Sequence, residues 1–172
     1  FNIGGIYSSQ TQYSHALKYY QQALLIFREL NNHTGEGIVL NNIGQDHYKQ
    51  NQYSQALSYF QQALEVRRKL GDSAGQGESL NNIGTVHHQQ GQYSQALGYY
   101  RQALAINRAT KNRSAEGVTL NNIGNIYHIR NEYLQSLEYY RQALIISRET
   151  SEIVLQGEVL NSIGGVYQRQ GE

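Results

Sequence analysis

Amide side chains recur in this sequence at a regular interval and beside the same neighbours. The tetrad Asn-Asn-Ile-Gly occurs three times, and the variants Phe-Asn-Ile-Gly at 1–4 and Asn-Ser-Ile-Gly at 161–164 stand at the same phase. An asparagine amide carries both a donor and an acceptor, so it can hold the C=O and N–H of a peptide backbone without contacting the peptide's side chains. We therefore expect a surface that binds extended polypeptide. The paired asparagines are Asn41 and Asn42, Asn81 and Asn82, and Asn121 and Asn122.

Six histidines are the candidates for metal binding or catalysis. Two of them occupy a phase at which other units carry tyrosine, so we interpret them as residues at the edge of the core. Two others, His88 and His128, could approach each other across neighbouring helices, but two histidines without a nearby carboxylate make a poor zinc site. No metal and no cofactor is predicted. The residues at the tyrosine phase are Tyr7, His47, His87, Tyr127 and Tyr167.

The sequence lacks the motifs that carry common enzymatic chemistry. It contains no phosphate-binding G-x-x-x-x-G-K-[ST], no nucleophile elbow between a strand and a helix and no H-E-x-x-H, and no carboxylate pair is placed to divide acid from base work. Its glycines fall inside helical patterns and not in a loop after a strand, so they do not form a nucleotide-binding fingerprint. We predict that the protein is not an enzyme.

Composition and charge narrow the classes of partner and compartment. The 172 residues carry 14 basic and 13 acidic side chains, interspersed, which gives no electrostatic reason to expect nucleic acid or an anionic membrane. No apolar run approaches the roughly 20 residues of a membrane span. The absence of cysteine fits a reducing cytoplasm, which is the expected compartment, but would also fit a bacterial exterior. Because the sequence starts at Phe1 and stops within a unit, we expect a segment of a longer protein.

The elements that must position the amides are predicted from a period of 40 residues. In each unit a second helix, helix B, carries an apolar stripe of period 3.6. Helix A precedes it over about residues 37–50, and Asp72 and Asn112 are candidate N-caps for later A helices. Asn51, Gly91 and Asn131 follow helix A at a position that favours a left-handed residue. The stripe of one helix B is Tyr53, Ala56, Leu57, Phe60, Ala63 and Leu64.

Glycines inside helix A indicate close packing of the two helices. Gly77 and Gly84 are seven residues apart and therefore share a face, and each costs about 1 kcal/mol relative to alanine. Other units carry glycine at the same phases. We expect helix B to approach helix A here, with Ala96 meeting the glycine face.

These residues resemble the tetratricopeptide repeat. Ile43 and Gly44 are followed by an aromatic residue or histidine three positions on, by Tyr53, and then by small, aromatic and alanine residues in the order of that family's pattern. The family's tryptophan and proline are absent, Ser136 replaces one alanine, and the period is 40 where the standard repeat has 34. The longer period is similar to that of kinesin light chains, of the Leu-Gly-Asn repeat regulators of spindle orientation and, most closely, of bacterial signalling proteins whose repeats precede a caspase-like domain.

The resemblance implies an all-α fold, a right-handed α-solenoid in which the A helices line the concave surface and the B helices form the convex one. We expect one domain over 1–172, with four A–B pairs and a final unpaired helix A. Without a polar capping helix, apolar surface should be exposed at the ends and favour end-to-end self-association. The predicted repeats are approximately 1–31, 32–71, 72–111, 112–150 and 151–172.

Helix geometry predicts where the asparagines lie. If Ile43 and Gly44 face helix B, Asn42 is turned about 100° towards the groove. Successive A helices lie roughly 10 Å apart and an extended peptide advances about 3.3 Å per residue, so one asparagine would meet about every third residue. We expect the second asparagines to form this ladder and the positions around them to set specificity. The predicted peptide-binding residues are Asn2, Asn42, Asn82, Asn122, Asn41, Asn81, Asn121, Gln45, Tyr48, Lys49, Thr85, His88, Asn125 and His128.

Two alternatives remain open at this point. The second asparagine of each pair could only solvate a surface, while the first links adjacent repeats by hydrogen bonding. The carboxylate-clamp members of the family place lysine where this chain has Asn41, Asn81 and Asn121, so a C-terminal carboxylate ligand is not expected. The leading hypothesis is a scaffold that binds a peptide or protein; the alternatives are an architectural, self-assembling spacer and a sensor that gates an attached effector domain.

Overall fold

A computed structural model describes residues 3–171 of the chain. Within these residues there are nine α-helices and no strand. We call the odd-numbered helices A helices and the even-numbered ones B helices. The helices are α1 (Ile3–Ser9), α2 (Tyr13–Glu29), α3 (His33–Lys49), α4 (Tyr53–Leu70), α5 (Ser73–Gln89), α6 (Tyr93–Ala109), α7 (Arg113–Ile129), α8 (Tyr133–Glu149) and α9 (Ile153–Gln170).

Side-chain caps fix where the A helices begin. The Asp72 carboxylate accepts from the backbone N–H of Gly75 at 2.9 Å, and Asn32 and Asn112 accept in the same way at their helices. The predicted caps are confirmed, but the predicted helix start near residue 37 is wrong, because α3 begins at His33 directly after its cap. Left-handed residues end the A helices as expected, with positive φ at Asn51, Gly91 and Asn131.

An aromatic ring of each B helix fills the space beside a glycine of the preceding A helix. A Cβ on Gly84 would lie 2.7 Å from two ring carbons of Tyr100. The glycine therefore makes room for this ring, and the expected contact with Ala96 is not the one that requires it. Gly44 and Gly124 face Phe60 and Tyr140 in the same manner.

The helices stack into a solenoid. Each helix packs on the next along the chain, and the A helices α3, α5, α7 and α9 also contact one another in turn. The B helices make no comparable contacts with one another within the described residues. The row of A helices is the more closely spaced layer, so the stack curves towards it and the A helices line its concave face.

Adjacent units fit together through pairs of complementary size at the junction between a B helix and the next A helix. Where the end of helix B is large, the start of the following helix A is glycine: a Cβ on Gly75 would lie 2.7 Å from Arg67, and one on Gly35 equally close to Phe27. Where the B residue is smaller, the A residue is larger. The four pairs in chain order are Phe27 with Gly35, Arg67 with Gly75, Asn107 with Ala115, and Ser147 with Leu155.

Apolar side chains are exposed on the last A helix. Ile153 and Val154 are 79% and 77% exposed, at positions where α7 carries Arg113 and Ser114. Leu160 is exposed as well, and a Cβ on Gly157 would meet nothing within 4 Å.

Within residues 3–171, no helix combines the length and the apolarity that crossing a membrane requires.

Candidate functional site

Hydrogen bonds between asparagines join successive A helices. The Asn82 amide nitrogen donates to Asn41 Oδ1 at 2.9 Å, and that of Asn122 donates to Asn81 Oδ1 at 3.1 Å. The first asparagine of a pair thus links its unit to the next, and its partner is the second asparagine of the following pair. Among the sequence-based alternatives, the linking role of the first asparagine is present at Asn41 and Asn81.

The series changes at α9. Its residue at the phase of Asn122 is Ser162, which donates to the backbone carbonyl of Glu158 at 2.9 Å. Asn121 is buried, and its Oδ1 has no partner within residues 3–171. A serine side chain is too short to repeat the bond that asparagine makes, so the series of asparagine hydrogen bonds between A helices ends at α7.

The bonds between units also orient the second asparagines. Because Nδ2 of Asn82 and Nδ2 of Asn122 point to the preceding A helix, their Oδ1 atoms are the groups left for another donor. Both residues are half-buried on the row of A helices, as is Asn42. Asn2 lies outside the described residues. The row therefore presents fixed acceptors more than it presents free amides.

The residues one turn further along helix A bond inward. The Tyr100 hydroxyl donates to Thr85 Oγ1 at 3.2 Å, and the Tyr140 hydroxyl donates to Asn125 Oδ1 at 2.7 Å. Burial raises the pKa of Tyr100 to about 12. The corresponding B-helix residue opposite Gln45 is Phe60, which has no hydroxyl to satisfy. The sequence pattern did not predict that Thr85 and Asn125 bind the hydroxyl of a tyrosine on helix B.

The third predicted phase lies near the end of each A helix, against the first tyrosine of the same unit's B helix. The His88 ring contacts that of Tyr93 at a tilted angle, with centroids 5.8 Å apart, and Tyr48 and His128 have equivalent partners. Burial lowers the pKa of His88, so its ring is neutral at pH 7. Lys49 is exposed, with Nζ 5.9 Å from the centroid of the Tyr13 ring.

The two histidines at the tyrosine phase lie at the edge of the core, as predicted. His47 stacks on Tyr59 with ring centroids 5.3 Å apart, and His87 stacks on Tyr99 at 5.2 Å. In the described part of the chain, no group of three or more His, Cys, Asp or Glu side chains could hold a metal ion.

A buried arginine connects the junction between α4 and α5 to the asparagine row, by which we mean the bonded asparagines of successive A helices. Arg67 donates to the Gly75 carbonyl at 2.9 Å and to Ser79 Oγ at 2.8 Å, and it pairs with Glu78 at 2.9 Å. Glu78 Oε1 in turn accepts from the Asn41 amide at 2.9 Å. This arrangement was missed from the sequence. The available signal was the loss of both charges together in the next unit, where the same phases carry Asn107 and Val118.

That loss coincides with a pocket between α5 and α7. The pocket has a volume of about 440 Å³ and lies on the A-helix side, where Arg67 and Glu78 form one wall. On the opposite wall are the smaller residues of the next unit. These are Asn107, Ala115, Val118 and Thr119, with Asn81 between the two walls.

The sequence matches models of a known repeat family. Models of the tetratricopeptide repeat match the chain, one over residues 1–69 and 55–109 and a second over residues 118–152. No curated protein sequence matches it.

Solved structures share its helical stack. BtubC (BKLC) from P. vanneervenii has a TM-score of 0.84 at 16% identity, over 98% of this chain and 70% of that one. Aspartyl phosphate phosphatase F from Bacillus subtilis has a TM-score of 0.88 at 18% identity, over 98% and 44%. A Rap protein complexed with Competence and Sporulation Factor has a TM-score of 0.83 at 19% identity, over 96% and 50%. The chain spans about half the length of the latter two, and the likeness shows the fold alone.

Proposed function

Because this chain belongs to the tetratricopeptide repeat family, we propose that it is a protein-interaction scaffold that binds an extended segment of a partner along the concave face of its A helices. The observation that carries the proposal is the row of oriented acceptors, Oδ1 of Asn82 and Oδ1 of Asn122, on successive A helices. Among proteins of similar fold, the Rap protein was solved in complex with Competence and Sporulation Factor.

The physical advantage of this row is that its amides are already ordered. A free asparagine loses side-chain entropy when it binds, whereas the amide of Asn82 is held by Asn41 before any ligand arrives. A peptide N–H aligned with Oδ1 would therefore gain its hydrogen bond at little ordering cost. The peptide carbonyl needs other donors, so the row reads the backbone from one side.

Removing an acceptor should weaken binding of peptides selected on the wild-type protein from a random heptapeptide library displayed on phage. We expect Asn82→Ala to lower affinity about fivefold, the equivalent of one hydrogen bond of about 1 kcal/mol. Isothermal titration calorimetry on the selected peptide measures the change.

Asn41→Ala is the control, because it breaks the Asn82–Asn41 bond between units, together with the Asn41–Glu78 bond, but leaves the acceptor on Asn82. Its loss of affinity should be clearly smaller than that of Asn82→Ala. Equal losses for both variants, or no loss for either while the helical circular dichroism is unchanged, would contradict backbone recognition by this row.

A second candidate function is self-association, favoured by the exposed apolar side chains of α9. Ile153 and Val154 are exposed at positions where α7 has the polar residues Arg113 and Ser114. The exposed surface of α9 is therefore apolar because of its residue types. Apolar groups of this kind gain about 25 cal/mol for each Å² that association removes from water.

Copying the polar residues of α7 should abolish any such association. If the wild-type protein grows in mass with concentration, the variant Ile153→Arg with Val154→Ser should remain monomeric in sedimentation velocity at the same concentrations. Leu25→Ser, which removes an exposed apolar residue from a B helix, serves as the control and should leave association unchanged. A wild-type protein that stays monomeric over the whole series would exclude this function.

A further inference from the structure

The pocket between α5 and α7 differs in chemistry from the same place one unit earlier. There, the carboxylate of Glu78 lies between two donors, the Asn41 amide at 2.9 Å and the Arg67 guanidinium at 2.9 Å. In the next unit the carboxylate is replaced by Val118 and the guanidinium by Asn107. The space that a carboxylate occupies in one unit is therefore part of a cavity in the other.

Asn81 contributes a donor to this cavity. Because its Oδ1 accepts from Asn122, its Nδ2 points in the opposite direction. In the preceding unit, the equivalent Nδ2 of Asn41 donates to Glu78. Val118 stands at that position and cannot accept a hydrogen bond. Within residues 3–171, Nδ2 of Asn81 has no partner, and Asn81 and Val118 both line the cavity.

Asn107 contributes an acceptor. Thr119 donates its hydroxyl hydrogen to the Ala115 carbonyl at 2.8 Å, so its oxygen accepts from Nδ2 of Asn107 at 3.2 Å. This fixes the amide and leaves Oδ1 of Asn107 as the unused atom, packed against Gly77 at the cavity wall, so a ligand reaches it when the amide shifts away from Gly77. Asn107 is 1% exposed, and its Oδ1 has no partner in the described residues. An unpaired buried acceptor costs about 1–3 kcal/mol, which a bound donor would recover.

The ligand group that complements one donor and one acceptor is a primary carboxamide. Its C=O accepts from Asn81 and its NH₂ donates to Asn107. A carboxylate would satisfy Asn81 but repel the oxygen of Asn107, and an alkyl group would leave both unpaired. The apolar parts of the wall, Ala115 and Val118, fit the methylene groups that carry such an amide.

We propose that this cavity is a side-chain pocket for glutamine or asparagine in the bound segment, which rests on the proposed function of the A-helix face. The asparagine row holds the backbone of the segment. The cavity selects one of its residues by the amide at the end of the side chain.

The test uses three peptides of sequence acetyl-Ala-Ala-X-Ala-Ala-N-methylamide, with X as glutamine, glutamate or methionine. The N-methylamide cap leaves the glutamine side chain as the only primary carboxamide. Titrations are followed by the side-chain NH₂ signals of Asn81 and Asn107 in ¹H–¹⁵N correlation spectra. We expect the glutamine peptide to bind at least about fivefold more tightly than the other two, the equivalent of one retained hydrogen bond.

One variant supplies a partner for the Asn81 donor, one removes the Asn107 acceptor, and a third is the control. Val118→Glu supplies the carboxylate that the preceding unit carries at Glu78, and should abolish the glutamine preference by filling the site. Ile38→Glu adds the same charge at the same phase of α3, outside the cavity, and should leave the preference intact. Asn107→Ser installs the residue of the next unit, Ser147, and should also abolish the preference.

The outcomes separate this inference from the proposed function. Equal affinity for the three peptides, or no response at Asn81 and Asn107, overturns the pocket assignment, and Asn82-dependent binding of phage-selected peptides would still support the concave-face function. Conversely, a glutamine-specific response that Val118→Glu removes supports the pocket even if Asn82→Ala leaves the selected peptides unaffected.

Discussion

Gly84→Ala should destabilise the protein, although alanine is the better helix former. The new Cβ would lie 2.7 Å from two carbons of the Tyr100 ring, which is buried and held at its hydroxyl by Thr85. Overpacking of this kind costs roughly 1–3 kcal/mol and, because the ring has nowhere to move, should exceed the gain of about 1 kcal/mol in helix propensity. We expect the free energy of unfolding, measured in urea, to fall by about 1 kcal/mol, the difference between these two terms.

Gly98→Ala is the matched control on the neighbouring helix. A Cβ there would meet nothing within 4 Å, so only the propensity term applies and the free energy of unfolding should rise by about 1 kcal/mol. The two glycine substitutions should thus have opposite signs. A rise for both would show that Tyr100 can repack, and that the close approach of the two helices does not require glycine.

Asp46→Val should stabilise the protein at neutral pH. Asp46 is 1% exposed, and its Oδ2 has no partner within residues 3–171, while Oδ1 accepts from Ser8. The same phase is apolar and buried in the other long A helices, as Val86, Ile126 and Val166. Replacing a poorly paired buried charge with a packed apolar side chain stabilises by roughly 1–4 kcal/mol. Chemical denaturation at pH 7 measures the gain.

The pH dependence gives an independent check on Asp46. Burial raises the pKa of its carboxyl above the ordinary value of 3.8, against the Ser8 hydrogen bond and the nearby charges of Lys49 and His47. With the folded-state pKa raised, the wild-type protein loses stability as pH rises from about 4 through that raised value, and regains it on acidification. Asp46→Asn should flatten this part of the profile. Identical profiles for the wild type and Asp46→Asn would contradict the assignment.

The caps of the A helices and the left-handed residues that end these helices could be predicted because their causes are local, whereas the start placed near residue 37 was wrong. The apolar stripe beginning at Tyr53 and the caps at Asp72 and Asn112 involve residues within a few positions of one another. The close approach at Gly84 was also predictable, but not its partner, since Ala96 and Tyr100 lie on the same stripe and only the helix crossing distinguishes them.

The candidate site was less accessible to such reasoning because its bonds join residues about a unit apart. Whether Asn82 faces a ligand or Asn41 depends on the distance between two A helices, which no single unit encodes. Comparing units within the chain would have revealed more. Arg67 and Glu78 are both replaced in the next unit, which indicates direct contact, although glutamate returns as Glu158 opposite Ser147. Tyr100 and Tyr140 stand with the hydroxyl-binding residues Thr85 and Asn125, although Tyr20 stands with a glycine.

The paired sizes at the helix junctions determine which piece of this chain can be transplanted. The pair Arg67 and Gly75 lies across the boundary between two units, so a cassette cut before each A helix would separate its members and bring, for example, Arg67 against the methyl group of an alanine. A cassette that runs from one B helix to the end of the next A helix, such as 53–89, keeps the pair intact. For recombining this array, a B–A hairpin keeps these size pairs together, whereas the A–B repeat that the sequence displays keeps together the pairs of Gly84 and Thr85 with Tyr100.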